Sequence, residues 1–180
     1  MSKIRITPLP PAGYLRSCID YCEKTGVIHW KYRPRGHFPS KREWLRWNAR
    51  YAGTVAGVID PRGYRRIRIN RHRYKAHRLI WCWMTSEDPP YTIDHIQGGP
   101  DNNVWNNLRV ATQKQQTHNV CLRKDNPTGY RGVTRRRKKW AAQITINGTR
   151  QWLGCFNSIE EAAAVYESEA RKYHGEFFRG

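Results

Sequence analysis

The stretch that decides the fold reads Asp94-His95-Ile96-Gln97-Gly98-Gly99-Pro100-Asp101-Asn102-Asn103-Val104-Trp105-Asn106-Asn107-Leu108-Arg109. It offers a carboxylate, an imidazole and a carboxamide around a glycine-rich turn. Strands are predicted on either side of the turn, over 92–96 and 107–111. A capping box at 112–115 then starts a helix that is predicted over 113–122. The sequence therefore predicts a compact β-β-α unit whose polar side chains are offered within one short hairpin.

The charge of the whole chain points to a polyanionic partner. Its 180 residues include 33 Lys and Arg against 14 Asp and Glu, which gives a formal net charge of +19. Self-repulsion makes such an excess costly for a compact fold, whereas neutralising phosphates releases counterions and favours binding. A carboxylate, an imidazole and an amide in such a chain suit metal-assisted cleavage of a phosphodiester. The alternative is a basic surface that serves solubility alone.

The cysteines and the hydropathy argue against several other classes. Five cysteines occur without a CxxC pair, which argues against a disulfide framework and against a structural zinc site. The thiols are therefore expected to be reduced, and the protein is predicted to be cytoplasmic. No apolar run reaches the length of a membrane span and the N-terminus has no apolar signal core, so no membrane partner is expected.

The N-terminal region is predicted to be rich in strands. Residues 27–32 alternate like a strand, and Trp44, Leu45 and Trp47 could line a short helix over 42–50. Residues 64–69 and 73–76 form a predicted hairpin with one basic face. An apolar helix is predicted next, over 77–84.

The C-terminal region predicts a second, separate unit. Strands are expected over 130–135, 139–146 and 149–153, with a hairpin turn at Asn147-Gly148. Ser158 should cap an amphipathic helix whose first turn is acidic. The predicted fold class is α+β: an N-terminal β-rich region leads into the β-β-α unit, and a three-stranded antiparallel sheet packed on one C-terminal helix follows. The predicted domain bounds are an extended lead-in at 1–13, the first domain at 14–122, a linker at 123–128 and the second domain at 129–180.

The motifs resemble two known families. The phage HNH homing endonucleases, which share a β-β-α metal fold, match at His77-Arg78-Leu79-Ile80-Trp81, Ile93-Asp94-His95-Ile96, Asp101-Asn102-Asn103, Asn107-Leu108-Arg109 and Ala111-Thr112, and upstream at Tyr51-Ala52-Gly53, Ala56-Gly57 and Gly63-Tyr64. A DNA-binding domain of the APETALA2/ethylene-response-factor type matches at Gly129-Tyr130-Arg131-Gly132-Val133, Trp140-Ala141-Ala142-Gln143-Ile144, Trp152-Leu153-Gly154, Phe156 and Glu161-Ala162-Ala163-Ala164-Val165-Tyr166. Such a domain is a known appendage of these nucleases, so the combination is more specific than either motif alone.

The resemblance implies a role for each polar side chain of the hairpin. His95 would be the general base that deprotonates the attacking water, since an imidazole has a suitable pKa. Asn107 would accept the Nδ1 proton of His95 through its side-chain carbonyl, so that Nε2 faces water. Asp94 would bind one divalent cation, Mg²⁺ or Mn²⁺, as a hard oxygen ligand. The loop between the strands is expected to be shaped by Asp101, Asn102 and Asn103.

The second metal ligand is where this chain departs from the family pattern. The family usually supplies Asn or His from the helix, nine residues after the position of Asn107, and this chain has Gln116 there. Gln116 is the predicted ligand, with Asn119 or His118 as the fallback. A misplacement of about 1 Å can cost roughly a hundredfold in rate. The alternative is that Gln116 is an ordinary polar residue of the helix and the site is degenerate.

Contacts with double-stranded DNA are predicted in both domains. The resemblance places side chains of the C-terminal sheet in the major groove, where Arg can read guanine and Gln can read adenine. The predicted contacts there are Arg131, Arg135, Arg136, Arg137, Trp140, Gln143, Thr145, Arg150 and Trp152. The N-terminal hairpin is predicted to touch phosphates and to set the register of binding, through Arg65, Arg66, Arg68, Arg71 and Arg73.

Together these patterns predict a site-specific DNA endonuclease of the homing type, located in the host cytoplasm if a phage encodes it. One metal site in each chain predicts a nick by a monomer, whereas a dimer could cut both strands. The main rival is a catalytically weak or inactive HNH-derived protein that binds DNA and acts as a regulator. Another is a basic protein that binds RNA.

Overall fold

The computed structural model describes residues 7–113, 115, 122 and 125–178. The chain divides into two compact units, Met1–Thr112 and Gln113–Gly180. The predicted domain bounds remain predictions, because most of the segment around them, 116–121 and 123–124, lies outside the described residues. In the described part of the chain, no helix is both long enough and apolar enough to cross a membrane.

The described part of the first unit consists of small antiparallel sheets and three helices. The helices are α1 Ala12–Cys18, α2 Lys41–Tyr51 and α3 Ala76–Thr85. The strands are β1 Ile19–Tyr21, β2 Ile28–Trp30, β3 Val58–Ile59, β4 Arg65–Ile69, β5 His72–Lys75, β6 Thr92–His95 and β7 Leu108–Ala111. The strands pair as β1-β2, β3-β4-β5 and β6-β7.

One hydrophobic core joins these pieces. Its fully buried side chains come from α1, β1, β2, β4 and α3, and include Leu15, Ile19, Ile28, Ile67, Ile69, Leu79 and Ile80. Burying each such side chain contributes roughly 1.5–3 kcal/mol. Ile93 of β6 and Leu108 of β7 belong to the same core. The hairpin that carries the polar motif is therefore fixed to the N-terminal elements rather than standing alone.

The sequence predicts most of these elements with small errors at their ends. The helix predicted over 42–50 is α2, and Ser40 caps it by accepting the Glu43 backbone N–H at 3.2 Å. The predicted hairpin is β4-β5, which turns on two residues of positive φ, Asn70 at 48° and Arg71 at 69°. Helix α1 is not predicted. It begins at Ala12, within the proposed lead-in, and only two of its seven residues are buried, so its sequence carries little helical periodicity.

The second unit is a three-stranded antiparallel sheet packed on a helix, as predicted. The strands β8 Val133–Arg136, β9 Lys139–Ile146 and β10 Thr149–Phe156 lie in the order β10-β9-β8. Helix α4, Ile159–His174, is capped by Ser158 Oγ, which accepts the Glu161 N–H at 3.1 Å. The helix packs on the sheet through small residues, with Ala162 and Ala163 against Val133 and Ala142. The α+β class predicted for the chain is confirmed.

The helix predicted over 113–122 cannot be compared with the structure. Only residues 113, 115 and 122 of that segment are described, and Gln116, His118 and Asn119 lie outside the described residues.

Candidate active site and basic surfaces

The β6-β7 hairpin gathers the polar motif at one end. Asp94 pairs in register with Arg109, and His95 pairs with Leu108. Asp94, His95 and Asn107 are all buried, with 8%, 6% and 4% of their surface exposed. Polar side chains are buried to this extent only where partners hold them, so the partners define what the site can do.

The His95 imidazole lies against an amide and two rings. Its Nε2 atom is 3.3 Å from Asn103 Oδ1. Its ring lies 5.0 Å from the His77 ring, edge to face, and 6.1 Å from the Tyr64 ring. Burial lowers the pKa of His95, while the bond to Asn103 and the charge of Asp94 act in the opposite direction. A neutral imidazole near pH 7 is the form that a general base requires.

Asn103 is a functional candidate that the sequence reasoning missed. It is 1% exposed, and its Nδ2 atom donates to Asp101 O and to Asp101 Oδ1, both at 3.2 Å. Arg65 holds the Asp101 carboxylate through two hydrogen bonds, at 2.9 and 2.7 Å. A row of polar contacts thus runs from Arg65 through Asp101 and Asn103 to His95. The Asp101-Asn102-Asn103 motif is the sequence signal for this residue, although the motif by itself predicts only a shaped loop.

Asn107 braces the loop between the two strands. Its Oδ1 accepts the Gln97 backbone N–H at 2.8 Å, and its Nδ2 donates to Asn102 O at 2.8 Å and to Gly98 O at 3.4 Å. One amide therefore ties both ends of the loop together. The bond predicted from His95 Nδ1 to Asn107 stays a prediction.

Asp94 is balanced by the guanidinium of Arg109, which is half-buried. Arg109 Nε and one terminal nitrogen lie 3.0 and 2.9 Å from the same oxygen, Asp94 Oδ2. The Asn107-Leu108-Arg109 motif includes Arg109 but does not indicate this role. Its position directly opposite Asp94 follows from the hairpin register.

Asp94 is the predicted cation ligand that lies in the described part of the chain. Among those residues, no group of three or more His, Cys, Asp or Glu side chains could hold a metal ion. An ionised carboxylate beside a buried imidazole nonetheless suits a hard cation such as Mg²⁺ or Mn²⁺. The second ligand, predicted at Gln116 with His118 or Asn119 as the fallback, lies outside the described residues.

The five arginines predicted as phosphate contacts on the β4-β5 hairpin divide into two groups. Arg65 is bound to Asp101, and Arg66 lies 2.7 Å from Asp60, so both are paired within the protein. The other three are exposed and have no acidic partner among the described residues: Arg68, Arg71 and Arg73. Arg68 and Arg73 face each other directly across strands β4 and β5. Like charges in that position are destabilising, which suits a surface that meets phosphates.

Helix α2 carries a second basic row that the sequence reasoning did not assign. Arg42, Arg46 and Arg50 are exposed and recur every four residues, so they lie on one face of the helix. The helix is fastened from its other side, where Asn48 Nδ2 donates to Arg33 O and Asn48 Oδ1 accepts the Arg33 N–H. The spacing of the arginines was the signal that could have found this row.

The predicted contacts of the C-terminal sheet lie on both of its faces. Register and alternation place Gln143, Thr145, Arg150 and Trp152 on the face away from α4. Arg136 shares that face and stacks 5.2 Å from the Trp152 ring.

The opposite face holds Arg135 and Trp140. Arg135 stacks 4.9 Å from the Trp140 ring, which packs against the cluster beneath α4. Arg137 lies in the β8-β9 turn at a φ of 56°, and Arg131 lines a small pocket with Tyr166 and Phe178. The nine predicted contacts therefore do not form one continuous surface.

Comparison with known proteins gives one family model and two viral proteins that are similar to this chain. The family model described as HNH endonuclease matches residues 74–118, which include the β6-β7 hairpin. Protein 3.8 of Escherichia phage T7 is 33% identical over 112 residues, which cover 59% of this chain and 92% of that protein. An uncharacterised HNH endonuclease of Acanthamoeba polyphaga mimivirus is 30% identical over 107 residues, 58% of this chain and 56% of the relative.

The C-terminal region is similar to plant proteins. Dehydration-responsive element-binding protein 2D of Arabidopsis thaliana is 38% identical over 80 residues, which cover 40% of this chain and 39% of that protein. A solved structure of DNA binding and cleavage by the HNH homing endonuclease I-HmuI covers 79% of this chain and 74% of its own, at 20% identity and a TM-score of 0.40. Since this chain spans nearly all of the phage T7 relative and matches the family model at the hairpin itself, it belongs to the HNH endonuclease family.

Proposed function

We propose that this chain is a site-specific DNA endonuclease of the homing type, which hydrolyses a phosphodiester bond with His95 as general base and one divalent cation. The observation that supports the proposal most is the hairpin end at which the Asp94 carboxylate and the neutral His95 imidazole are neighbours in a largely buried site. Acid-base chemistry and cation binding need these two groups close to one phosphate.

In this mechanism the protein groups position and deprotonate the water. His95 removes a proton from the water as the oxygen attacks phosphorus, and burial keeps the imidazole neutral at pH 7 because it lowers the pKa. Asp94, which is paired with Arg109, would hold the cation together with Gln116, or with His118 or Asn119 in its place. A bound cation supplies positive charge that stabilises the phosphate and the leaving oxygen in the transition state.

The basic surfaces would hold the duplex while the hairpin acts. The exposed arginines of β4-β5 and of α2 suit the phosphate backbone, which fixes position without reading sequence. The face of the C-terminal sheet away from α4 offers Arg150 and Gln143, which are groups that can read base edges in the major groove. One cation site in each chain leads us to propose a nick by a monomer.

The test is cleavage of supercoiled plasmid DNA at low salt with Mg²⁺ or Mn²⁺. We expect relaxed or linear DNA from the wild-type protein and intact DNA from His95→Ala. His174→Ala, in the helix of the second unit, is the matched control and should cleave like the wild type. A homing role further predicts that the gene lies in or beside a group I intron or stands free in a phage genome.

A second candidate is a protein that binds DNA without cutting it. Gln116, in place of the family's usual ligand, is the observation that favours it. Intact supercoiled DNA with both metals, together with retarded migration of that DNA, would decide for this candidate. Preferential binding of structured RNA over duplex DNA at fixed salt would contradict both.

A further inference from the structure

We propose that helix α2 is a recognition helix that enters the major groove of duplex DNA and reads bases through Arg46 and Leu45. The inference rests on the DNA binding within the proposed function and goes beyond the phosphate contacts proposed for the arginines of this helix. It gives the first unit a base-reading element of its own, in addition to the C-terminal sheet.

The outer face of α2 carries cations and two apolar side chains but no acid. Residues three and four positions apart share one face of a helix, and the exposed residues of α2 follow this spacing: Lys41, Arg42, Leu45, Arg46, Ala49 and Arg50. None of these four cations is paired with a carboxylate in the described part of the chain. The one acid of the helix, Glu43, is turned back to its N-cap, where it accepts from Ser40 Oγ at 3.2 Å. The outer face is therefore complementary in charge to a polyanion along its whole length.

The inner face of α2 is fastened to the core, so the outer face has a fixed direction. The Trp47 ring packs edge to face on the Trp30 ring of β2, with centroids 5.2 Å apart. Trp44 Nε1 donates to Arg33 O at 2.8 Å, beside the two bonds between Asn48 and the Arg33 backbone. A side chain that recognises a ligand must be held within about 0.5 Å of its productive position. A helix anchored in this way meets that need.

A row of hydrogen bonds joins the anchor of α2 to the β4-β5 hairpin. Arg33 Nη2 donates to the Tyr14 hydroxyl at 2.7 Å, and that hydroxyl donates to Asn70 Oδ1 at 2.8 Å. Asn70 lies in the turn of the hairpin, next to the exposed Arg71. Contacts of the hairpin with phosphates, which fix the register of a protein on the duplex, would therefore also fix the position of α2.

The width and the chemistry of the outer face fit the major groove. An α-helix with its side chains is about 10–12 Å across, and the major groove is about 12 Å wide. An arginine can donate two bonds there to guanine O6 and N7, and an apolar side chain can contact the thymine methyl group. Arg46 and Leu45 lie in the middle of the helix, on its outer face.

The exposed apolar pair distinguishes this face from one that binds phosphates alone. Leu45 is 48% exposed, and Ala49 follows one turn later on the same face. Phosphate oxygens are bound by charged and polar donors, whereas a methyl group gains free energy only where it meets another apolar surface. Arg42 and Arg50 lie near the two ends of the helix, where the groove is bordered by phosphates. The face thus has a centre that suits bases and ends that suit the backbone.

The closing experiment selects preferred sites from a random duplex DNA library with the full chain in EDTA, so that binding is measured without cleavage. We expect one sequence to be enriched. Each of its guanines is then replaced in turn by 7-deazaguanine, which lacks the N7 acceptor. One replacement should weaken wild-type binding by at least about 5-fold and should have no effect on Arg46→Gln. Lys24→Gln, which removes an exposed cation outside α2, is the matched control and should respond like the wild type.

A second probe tests Leu45. Replacing each thymine of the selected site by uracil removes its methyl group, and one replacement should weaken wild-type binding by about 4-fold. Leu45→Ala should not respond to that replacement. Thermal unfolding of both α2 variants at the wild-type midpoint shows that the altered binding is not a loss of folding.

The outcomes separate this inference from the endonuclease proposal. Failure to enrich any sequence would overturn the inference, and so would equal responses of wild type and Arg46→Gln to every guanine replacement. A loss of affinity in Arg46→Gln that is the same for all sequences would also overturn it, because that is the behaviour of a phosphate contact. These results leave the endonuclease proposal intact. A wild-type protein that selects a sequence through α2 but cleaves nothing with Mg²⁺ or Mn²⁺ would support the inference and contradict the endonuclease proposal.

Discussion

Arg65 and Arg68 both lie on strand β4, but they differ in their partners and in their exposure to solvent. Arg65 points toward the core side of the sheet, where it binds Asp101 and supports the row that ends at His95. Arg68 points to the other side, is exposed, and lies opposite Arg73 with no acidic partner among the described residues. The alternation of a strand thus separates arginines that support the site from arginines that are exposed and that we propose bind DNA phosphates. Arg109, which pairs with Asp94, differs in the same way from the exposed arginines of α2, Arg42, Arg46 and Arg50.

The largest effect that tests this division is expected from Arg109→Ala. Removing the guanidinium leaves the buried Asp94 carboxylate without its balancing charge, which costs about 3–5 kcal/mol of unfolding free energy. Urea denaturation of the full chain measures it. Arg68→Ala is the matched control and should stay within about 0.5 kcal/mol of wild type. Equal losses in the two variants would break the comparison.

The exposed arginines of the β4-β5 hairpin should affect DNA binding rather than stability. Replacing Arg68, Arg71 and Arg73 together by Gln should reduce the slope of log K for DNA against log salt by about 3, since each lost phosphate contact removes roughly 0.9. Stability should be kept or raised, because like charges no longer face each other. Fluorescence anisotropy at several salt concentrations gives the slope. The charge control is Arg171→Gln with Lys172→Gln, cations paired to acids on α4, which should leave the slope as it is.

The two faces of the C-terminal sheet sharpen the comparison in the second unit. Trp140→Ala should lower the unfolding free energy by about 3 kcal/mol, since the ring packs against the cluster beneath α4. Trp152 is 53% exposed, so Trp152→Ala should leave stability nearly unchanged and weaken DNA binding. Thermal unfolding and a binding titration of each variant separate the two outcomes. Loss of binding without loss of stability in Trp140→Ala would place both rings on the DNA side.

The smallest effect is expected from the acid limb of stability. Burial, followed by the positive charge of neighbouring side chains, lowers the pKa of His77 well below its usual value. Below about pH 6.5 the unfolded chain therefore binds a proton at His77 that the folded chain does not bind. The contribution of His77 to the unfolding free energy is present above that pH and is lost as the pH falls. Each pH unit below 6.5 should cost about 1.4 kcal/mol from this residue.

The measurement is the urea midpoint between pH 7 and pH 5. His77→Phe removes the titrating group and should flatten the limb by that amount, whereas His72→Ala, at an exposed position, should keep the wild-type slope. An unchanged slope in His77→Phe would show that His77 does not titrate on unfolding.

The sequence predicts the local hairpins, but it does not predict which side chains pair with each other across different elements. Strand alternation and the Asn147-Gly148 turn are properties of adjacent residues, so the β4-β5 and β9-β10 hairpins could be predicted. The ion pairs of Arg65 with Asp101 and of Arg66 with Asp60 join different elements, so no periodicity indicates which arginines remain unpaired.

The site shows the same limit. The Asp94-His95 pair and Asn107 were identifiable from their motif, and the structure brings them to one end of the β6-β7 hairpin. The Asp101-Asn102-Asn103 motif indicates a shaped loop, but the contact between Asn103 and His95 depends on the path of that loop, which the motif does not specify. Trp140 and Trp152 likewise look equivalent in the sequence, and only the register with α4 beneath one face separates them.

The central claim is that the chemistry is located in the buried row and DNA binding on the exposed arginines, and one paired measurement tests it most directly. It compares kcat at saturating DNA and the Kd for DNA in His95→Ala and in the Arg68, Arg71 and Arg73 triple Gln variant. We predict that His95→Ala loses at least about a hundredfold in kcat with its Kd unchanged, and that the triple variant weakens Kd with kcat retained. A fall of both quantities in both variants would contradict the separation.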